Sequence, residues 1–201
     1  MDKKKLAIIL SKLKLTKNKR IELEQYQTEG ELAAEILWLA YTRGDIQNKN
    51  AADFGCGNGI FGIGALLLEA KKVYFIDIDE EAINIAKENS KDFNNTKFFK
   101  EDINNFNKKS DTVIMNPPFG VQKRKADKEF LIKAFQTSKV VYSIHKIESK
   151  NFIETISKEY GFKVEEIVRE NILLKKTYKF HKSNKYYVNS GIWILRKQEN
   201  V

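Results

Sequence analysis

The sequence predicts an α/β fold, an open and mostly parallel sheet with helices on both faces. Short apolar runs alternate with segments of helical period along most of the chain, the pattern of successive βαβ units. An early strand, Asn50–Phe54, runs straight into a glycine-rich loop, Gly55-Cys56-Gly57-Asn58-Gly59, and then into an apolar helix. The chain ends in a hairpin-like return after Gly161, which suits an antiparallel last strand. No internal repeat or low-complexity linker divides it, so residues 1–201 are expected to form one domain. Its expected parts are a helical segment over 1–45, a central core over 46–145 that contains the glycine loop, and the second half of the sheet with a basic segment over 146–201.

The elements follow in order. Leu6, Ile9, Leu10 and Leu13 share a helical spacing over residues 3–15. Thr28 stands three residues before Glu31, the capping-box spacing, ahead of a helix that runs to about Thr42 and stops before Gly44. From spacing alone, Thr28 reads as the cap. Strands are expected at Asn50–Phe54, Lys72–Ile76, Thr96–Lys100, Asp111–Met115, Lys139–Ile144 and Phe162–Val168, with a return over Tyr187-Val188 and Gly191–Leu195. Helices are expected at Ile63–Ala70, Glu80–Phe93, Phe130–Thr137 and Ile147–Tyr160, the last stopped by Gly161.

Composition limits the function. Hydrophobic residues make up 42% and charged residues 31% of the 201, as in a soluble globular protein. No apolar run approaches the ~20 residues of a membrane span, and the amino terminus does not read as a secretory signal. The single cysteine, Cys56, cannot form an internal disulfide, which points to a reducing cytoplasm. With one Cys and two His (His145, His181), no metal site is expected. The net charge of +9 is unevenly placed: residues 1–120 hold 18 basic and 18 acidic residues, whereas 121–201 hold 18 and 9. Lys175-Lys176-Thr177-Tyr178-Lys179-Phe180-His181-Lys182 lies within a stretch, Asn171 to Gln198, with no acid. Interleaved cations and rings suit a single nucleic-acid strand, the cations on phosphates and the rings on bases. The plainer reading is an edge hairpin with aromatics turned to the core.

Two motifs carry chemistry. Glycines let the loop turn tightly and let a ligand approach its backbone, and Asp77 follows about twenty residues on, the distance of an acid that bonds a ribose. Gly57-x-Gly59-x-x-Gly62 also matches a dinucleotide fingerprint, so the loop alone leaves a nicotinamide cofactor open. Asp102, at the third strand end, suits an adenine amine, with Ile103 against the ring. The second motif is Asn116-Pro117-Pro118-Phe119, which holds both prolines of the chain. Adjacent prolines remove two N–H donors, fix two φ angles and keep Asn116 out of the helical region. A stiff extended turn results, offering carbonyl oxygens, an amide and an aromatic ring to a planar amine; the plainer reading of these residues is a strand-ending turn beside a core Phe.

Asp53-Phe54-Gly55-Cys56-Gly57-Asn58-Gly59, Phe75–Asp79 and Asn116–Gly120 resemble the class I methyltransferases that act on exocyclic amines. More narrowly, Leu23–Tyr26, Thr112–Gly120, Tyr142–Lys146 and Tyr178–Lys182 resemble the archaeal and eukaryotic small-subunit ribosomal RNA adenine-N6 methylases. The resemblance implies a Rossmann-like, seven-stranded, S-adenosylmethionine-dependent methyltransferase. It implies cofactor contacts from Gln25, Thr28, Asp53, Gly55, Gly57, Asn58, Ile60, Asp77, Asp102, Ile103 and Asn116. Catalysis falls to Asn116, Pro117, Pro118 and Phe119, and RNA contact to Lys175, Lys176, Tyr178, Lys179, Phe180, His181 and Lys182. It also implies a heterodimer with a small zinc-binding activator, for which an exposed strand edge near residues 96–99 offers strand addition. Gln27 stands where the family carries proline. Rival readings are a DNA adenine-N6 methylase, a protein glutamine-N5 methylase, and an RNA-binding ribosome-assembly protein without activity. About eighty residues beyond Gly120 leave a DNA methylase little room for a target-recognition domain, and a glutamine methylase more often has Tyr at position 119.

Overall fold

The computed structural model describes residues 1–16, 28–118, 126–175 and 185–198; side chains at 126, 170–175 and 185–188 fall outside the described set. Helix α1 (Lys3–Leu10) is capped by Asp2, whose carboxylate accepts the Lys5 N–H. Then follow α2 (Gly30–Thr42), β1 (Asn50–Phe54), α3 (Ile60–Leu67), β2 (Lys72–Asp77), α4 (Glu80–Asn89), β3 (Thr96–Lys100), β4 (Thr112–Met115), α5 (Ala126–Thr137), β5 (Val140–Lys146), α6 (Lys150–Glu159), β6 (Phe162–Lys175) and β7 (Lys185–Lys197).

The seven strands form one sheet in the order β3-β2-β1-β4-β5-β7-β6. The first five are parallel, and β7 is antiparallel to both its neighbours. Successive residues point to opposite faces, so each central strand feeds two cores. Ala51, Ile114, Tyr142 and Ile194 face α1 to α4, whereas Ala52, Val113, Val141 and Trp193 face α5 and α6. These near-continuous apolar runs are what a sheet covered on both sides demands. Chain order reverses direction between β1 and β4, the place where open α/β sheets hold their ligands.

Several boundaries differ from the sequence reading. Helix α4 stops at Asn89 rather than Phe93, and Ser90 ends it with its hydroxyl on the Ala86 carbonyl at 2.6 Å. Helix α3 begins at Ile60 and α5 already at Ala126. Strands β6 and β7 are much longer than expected. Their ladder runs from Phe162↔Lys197 to Lys175↔Lys185, with a bulge between Val164 and Glu166. The pairing of β5 with β7 ends at Lys146↔Ser190. The five pairs from Asn171↔Asn189 to Lys175↔Lys185 therefore extend past the end of β5, about 17 Å at ~3.3 Å per residue.

Candidate active site

Register places the two motifs side by side. Phe54 pairs with both Ile76 and Met115, so the chain leaves β1 into the glycine loop at the level where β4 delivers Asn116. Neighbouring strands lie ~4.8 Å apart. Asp77 pairs with Lys100 at the same edge, and Asp102 lies two residues further along the chain.

The loop is held from below and open above. Gly55, Gly57 and Gly59 all have positive φ (65°, 53° and 84°), a region that L-residues with a Cβ enter only at a cost. A Cβ on Gly57 would meet nothing within 4 Å, so its backbone is open to a ligand. Asp53 lies buried beneath the loop, and its Oδ2 accepts the Gly62 N–H at 2.8 Å. Burial raises its pKa well above the usual carboxylate value. Asp77 accepts the Gly57 N–H on Oδ2 and the Asp79 N–H on Oδ1, each at 2.9 Å. Its pKa is also raised, again chiefly by burial. Each oxygen keeps a lone pair for a hydroxyl donor. Asp102 starts the short helical turn Ile103–Asn105 by accepting the Asn104 N–H on Oδ1 at 2.9 Å, and Ile103 is buried under it. Open glycine backbone beside two carboxylates at two strand ends fits a nucleoside-bearing cofactor. Cys56 is buried, and burial pushes its thiol pKa up, so it packs as a small apolar side chain.

Two sequence-predicted positions have partners that the sequence did not suggest. Thr28 does not cap α2: the residue preceding that helix is Glu29, which makes no side-chain cap bond. The Thr28 hydroxyl instead accepts an N–H from Asn116 Nδ2 at 3.1 Å. Asn58 turns toward the amino-terminal segment, its amide donating to the Lys14 carbonyl at 3.2 Å. Asn89 donates to the same carbonyl and to the Asn58 carbonyl, both at 3.0 Å, and accepts the Lys14 N–H at 3.0 Å. Neither Asn89 nor Lys14 was anticipated, because both act through contacts far apart in sequence.

Asn116 is half-buried, with Pro117 buried beside it. Its Nδ2 donates to Thr28, whereas its Oδ1 is buried and has no hydrogen-bond partner among the described residues. On the next strand, Ser143 stands opposite Met115, and its hydroxyl lies 2.7 Å from His145 Nε2. Burial lowers the His145 pKa to about 3, so the ring is neutral at physiological pH. Gln25, Phe119, Lys176, Tyr178, Lys179, Phe180, His181 and Lys182 lie outside the described residues; Lys175 ends β6, and its side chain is likewise outside them. Among the described residues, no group of three His, Cys, Asp or Glu side chains is placed to hold a metal ion, and no helix is long and apolar enough to cross a membrane.

The model of the methyltransferase small domain family matches residues 29–142. The rRNA N(6)-adenosine-methyltransferase METTL5 of Danio rerio is 38% identical over 172 residues, which cover 81% of this chain and 83% of that protein. The enzyme of the same name from Drosophila melanogaster is 29% identical over 184 residues, 87% of this chain and 86% of its own length. A crystal structure from Pyrococcus horikoshii, of a "putative RNA methyltransferase", superposes with a TM-score of 0.92 at 46% identity over 98% of both chains. The paired strand ends that carry the glycine loop and the Asn-Pro-Pro turn fall within or beside the matched span, and the chain belongs to the methyltransferase small domain family.

Proposed function

We propose that this chain is an S-adenosylmethionine-dependent methyltransferase acting on the N6 amine of an unpaired adenine in small-subunit ribosomal RNA, as one cytoplasmic catalytic domain. The observation that carries this reading is the Asn116 amide, with its nitrogen held by Thr28 and its oxygen buried without a partner among the described residues. Leaving a buried acceptor unpaired costs ~1–3 kcal/mol. An acceptor held at the end of β4, beside the glycine loop, is available to an amine of the substrate. The names of the relatives supply the substrate class.

The N6 lone pair is delocalised into the adenine ring, so the amine is a weak nucleophile. Asn116 Oδ1 and the Pro117 carbonyl each accept one N6–H, which concentrates electron density on nitrogen and favours its pyramidal form. Phe119 stacks on the base. Asp77 would hold the ribose hydroxyls of the cofactor, and Asp102 with Ile103 would hold its adenine. S-adenosylmethionine, bound there, supplies an electrophilic sulfonium methyl. Most of the acceleration is positioning, which supplies up to ~7–11 kcal/mol in well-oriented systems, together with acceptors matched to the developing charge. No nucleophilic side chain is required. The base must be extruded or single-stranded, at a cost of a few kcal/mol when paired.

Two features extend the reading. The projecting β6–β7 ladder ends at Lys175↔Lys185, at the same end of the sheet as Asn116, and the basic, aromatic residues 176–184 follow Lys175 in the sequence. That arrangement supports RNA contact there. Strand β3 is the terminal strand of the sheet, which supports strand addition by a small zinc-binding activator protein. The deciding experiment offers labelled S-adenosylmethionine with small-subunit RNA, duplex DNA or ribosomal protein. Label in RNA that digests to N6-methyladenosine is expected; label in DNA or protein, or none at all, would overturn the proposal.

A further inference from the structure

The opposite edge of the sheet, where the parallel strands begin, carries a feature that the methylation site does not use. A pocket of about 630 Å³ opens there, lined in part by Lys49, Lys139, Lys197 and Tyr160. The size suits a small polar ligand or one nucleotide unit. Lys49 immediately precedes β1, Lys139 immediately precedes β5, and Lys197 ends the antiparallel β7. Their backbones are fixed: Lys71 N–H donates to the Lys49 carbonyl and Lys197 N–H to the Lys139 carbonyl, both at 2.8 Å. All three side chains are exposed, and none makes an ion pair among the described residues.

The other charges in the pocket are already engaged. Asp45 takes Arg196 in a two-bond fork (3.1 and 2.9 Å) and the Tyr142 hydroxyl at 2.7 Å. Asp111 accepts the Asn50 N–H at 2.9 Å, and its charge is the one that opposes an anion there. Arg196 also reaches out of the pocket to Glu165, at 2.9 Å. A Cβ on Gly161 would meet nothing within 4 Å, so the pocket wall beside the Tyr160 ring is open backbone.

We propose that this pocket binds phosphate groups of the RNA backbone and gives the protein a second hold on a long RNA, at the end of the sheet away from the amine-methylating turn. Lysines on fixed backbone that make no ion pair among the described residues are suited to phosphates, each neutralised phosphate releasing counterions. The inference rests on the proposed RNA substrate, and its test is binding, read without cofactor or turnover.

The full-length triple variant Lys49→Gln, Lys139→Gln, Lys197→Gln is compared with wild type and with a control triple, Lys4→Gln, Lys5→Gln, Lys91→Gln, on small-subunit RNA and on a short adenine-containing oligonucleotide. On the long RNA, the salt slope of the pocket variant is expected to fall by about 2–3, at ~0.7–0.9 per lost phosphate contact. Binding of the short oligonucleotide and the slope of the control triple are expected to stay at the wild-type value. An unchanged slope on long RNA overturns the proposal, as does an equal loss on the short oligonucleotide or in the control. Inorganic phosphate supplies the other arm. If it raises the melting temperature of wild type but not of the variant while the RNA slope is unchanged, the pocket takes a free anion and the RNA assignment falls. A chain that shows the slope change yet methylates no RNA refutes the proposed activity and leaves this second hold standing.

Discussion

Replacing Asn116 with alanine removes one hydrogen-bond acceptor from the reacting amine and little else. Deleting a single group matched to transition-state charge costs ~10²–10³ in turnover, about 2.7–4 kcal/mol. The same change removes the 3.1 Å bond from Nδ2 to Thr28, worth ~1 kcal/mol of stability against a total of ~5–15 kcal/mol. It also removes a buried oxygen that has no partner among the described residues, which offsets part of that loss. Asn116→Ala should therefore fold, bind S-adenosylmethionine nearly as well as wild type, and transfer methyl at least a hundredfold more slowly. Single-turnover assays with labelled cofactor measure the chemical step, and calorimetry measures cofactor binding. Thr28→Val is the companion, since it keeps Oδ1 but releases the amide to rotate, and a smaller loss is expected, restored by Thr28→Ser. Near-wild-type turnover in Asn116→Ala would refute the mechanism. A loss of cofactor binding equal to the loss of rate would reassign Asn116 to the cofactor site.

Other outcomes follow from the same geometry. His145 has its folded-state pKa lowered to about 3 from the usual 6.5, so the unfolded chain takes the proton first as pH falls. Its contribution is complete above pH ~6.5 and declines toward pH 3; between pH 7 and 5 wild type should lose about 2 kcal/mol that His145→Gln does not, read from denaturant curves. Equal pH dependence in the two proteins would refute this. Asp77→Asn leaves one oxygen where two accept backbone N–H groups, and the cofactor KM should rise about tenfold, ~1.4 kcal/mol, with kcat little changed. Gly62→Ala drives a methyl into the Phe75 ring, and a loss of ~1–3 kcal/mol in thermal or chemical unfolding is expected. Removing the charges of Lys179 and Lys182 should weaken RNA binding and reduce its salt slope by about 1.4–1.8; an unchanged slope would move that contact elsewhere.

What could be read in the sequence was local or periodic. The strand–glycine loop–helix unit over Asn50–Leu67 and the Asn-Pro-Pro turn are written in consecutive residues, and β1 and β3 fall on their expected spans. Thr28 shows where such reading stops. A short-range capping signal competed with a bond to Asn116, 88 residues away, and the distant partner won. Asn58 is similar: its place in the glycine loop suggested a ligand, while its amide reaches Lys14, 44 residues back. The full length of β6 was hidden for another reason. After Val168 the residues Arg169, Glu170 and Asn171 break the apolar pattern of a strand, yet on a terminal strand polar positions are tolerated and the ladder continues through them.

The common level of Phe54 and Met115 has a consequence for change by insertion and deletion. Donor loop and acceptor turn are mounted on adjacent rungs of one ladder, so their spacing is set by hydrogen-bond register rather than by a hinge or a docking step. Slipping β4 by one residue against β1 would carry Asn116 ~3.3 Å along the strand and turn its amide to the opposite face of the sheet. Length changes inside these two strands should therefore abolish activity even where the protein still folds. The Asn-rich loop between Ile103 and Asp111, at the other end of β4, is not bound by that register.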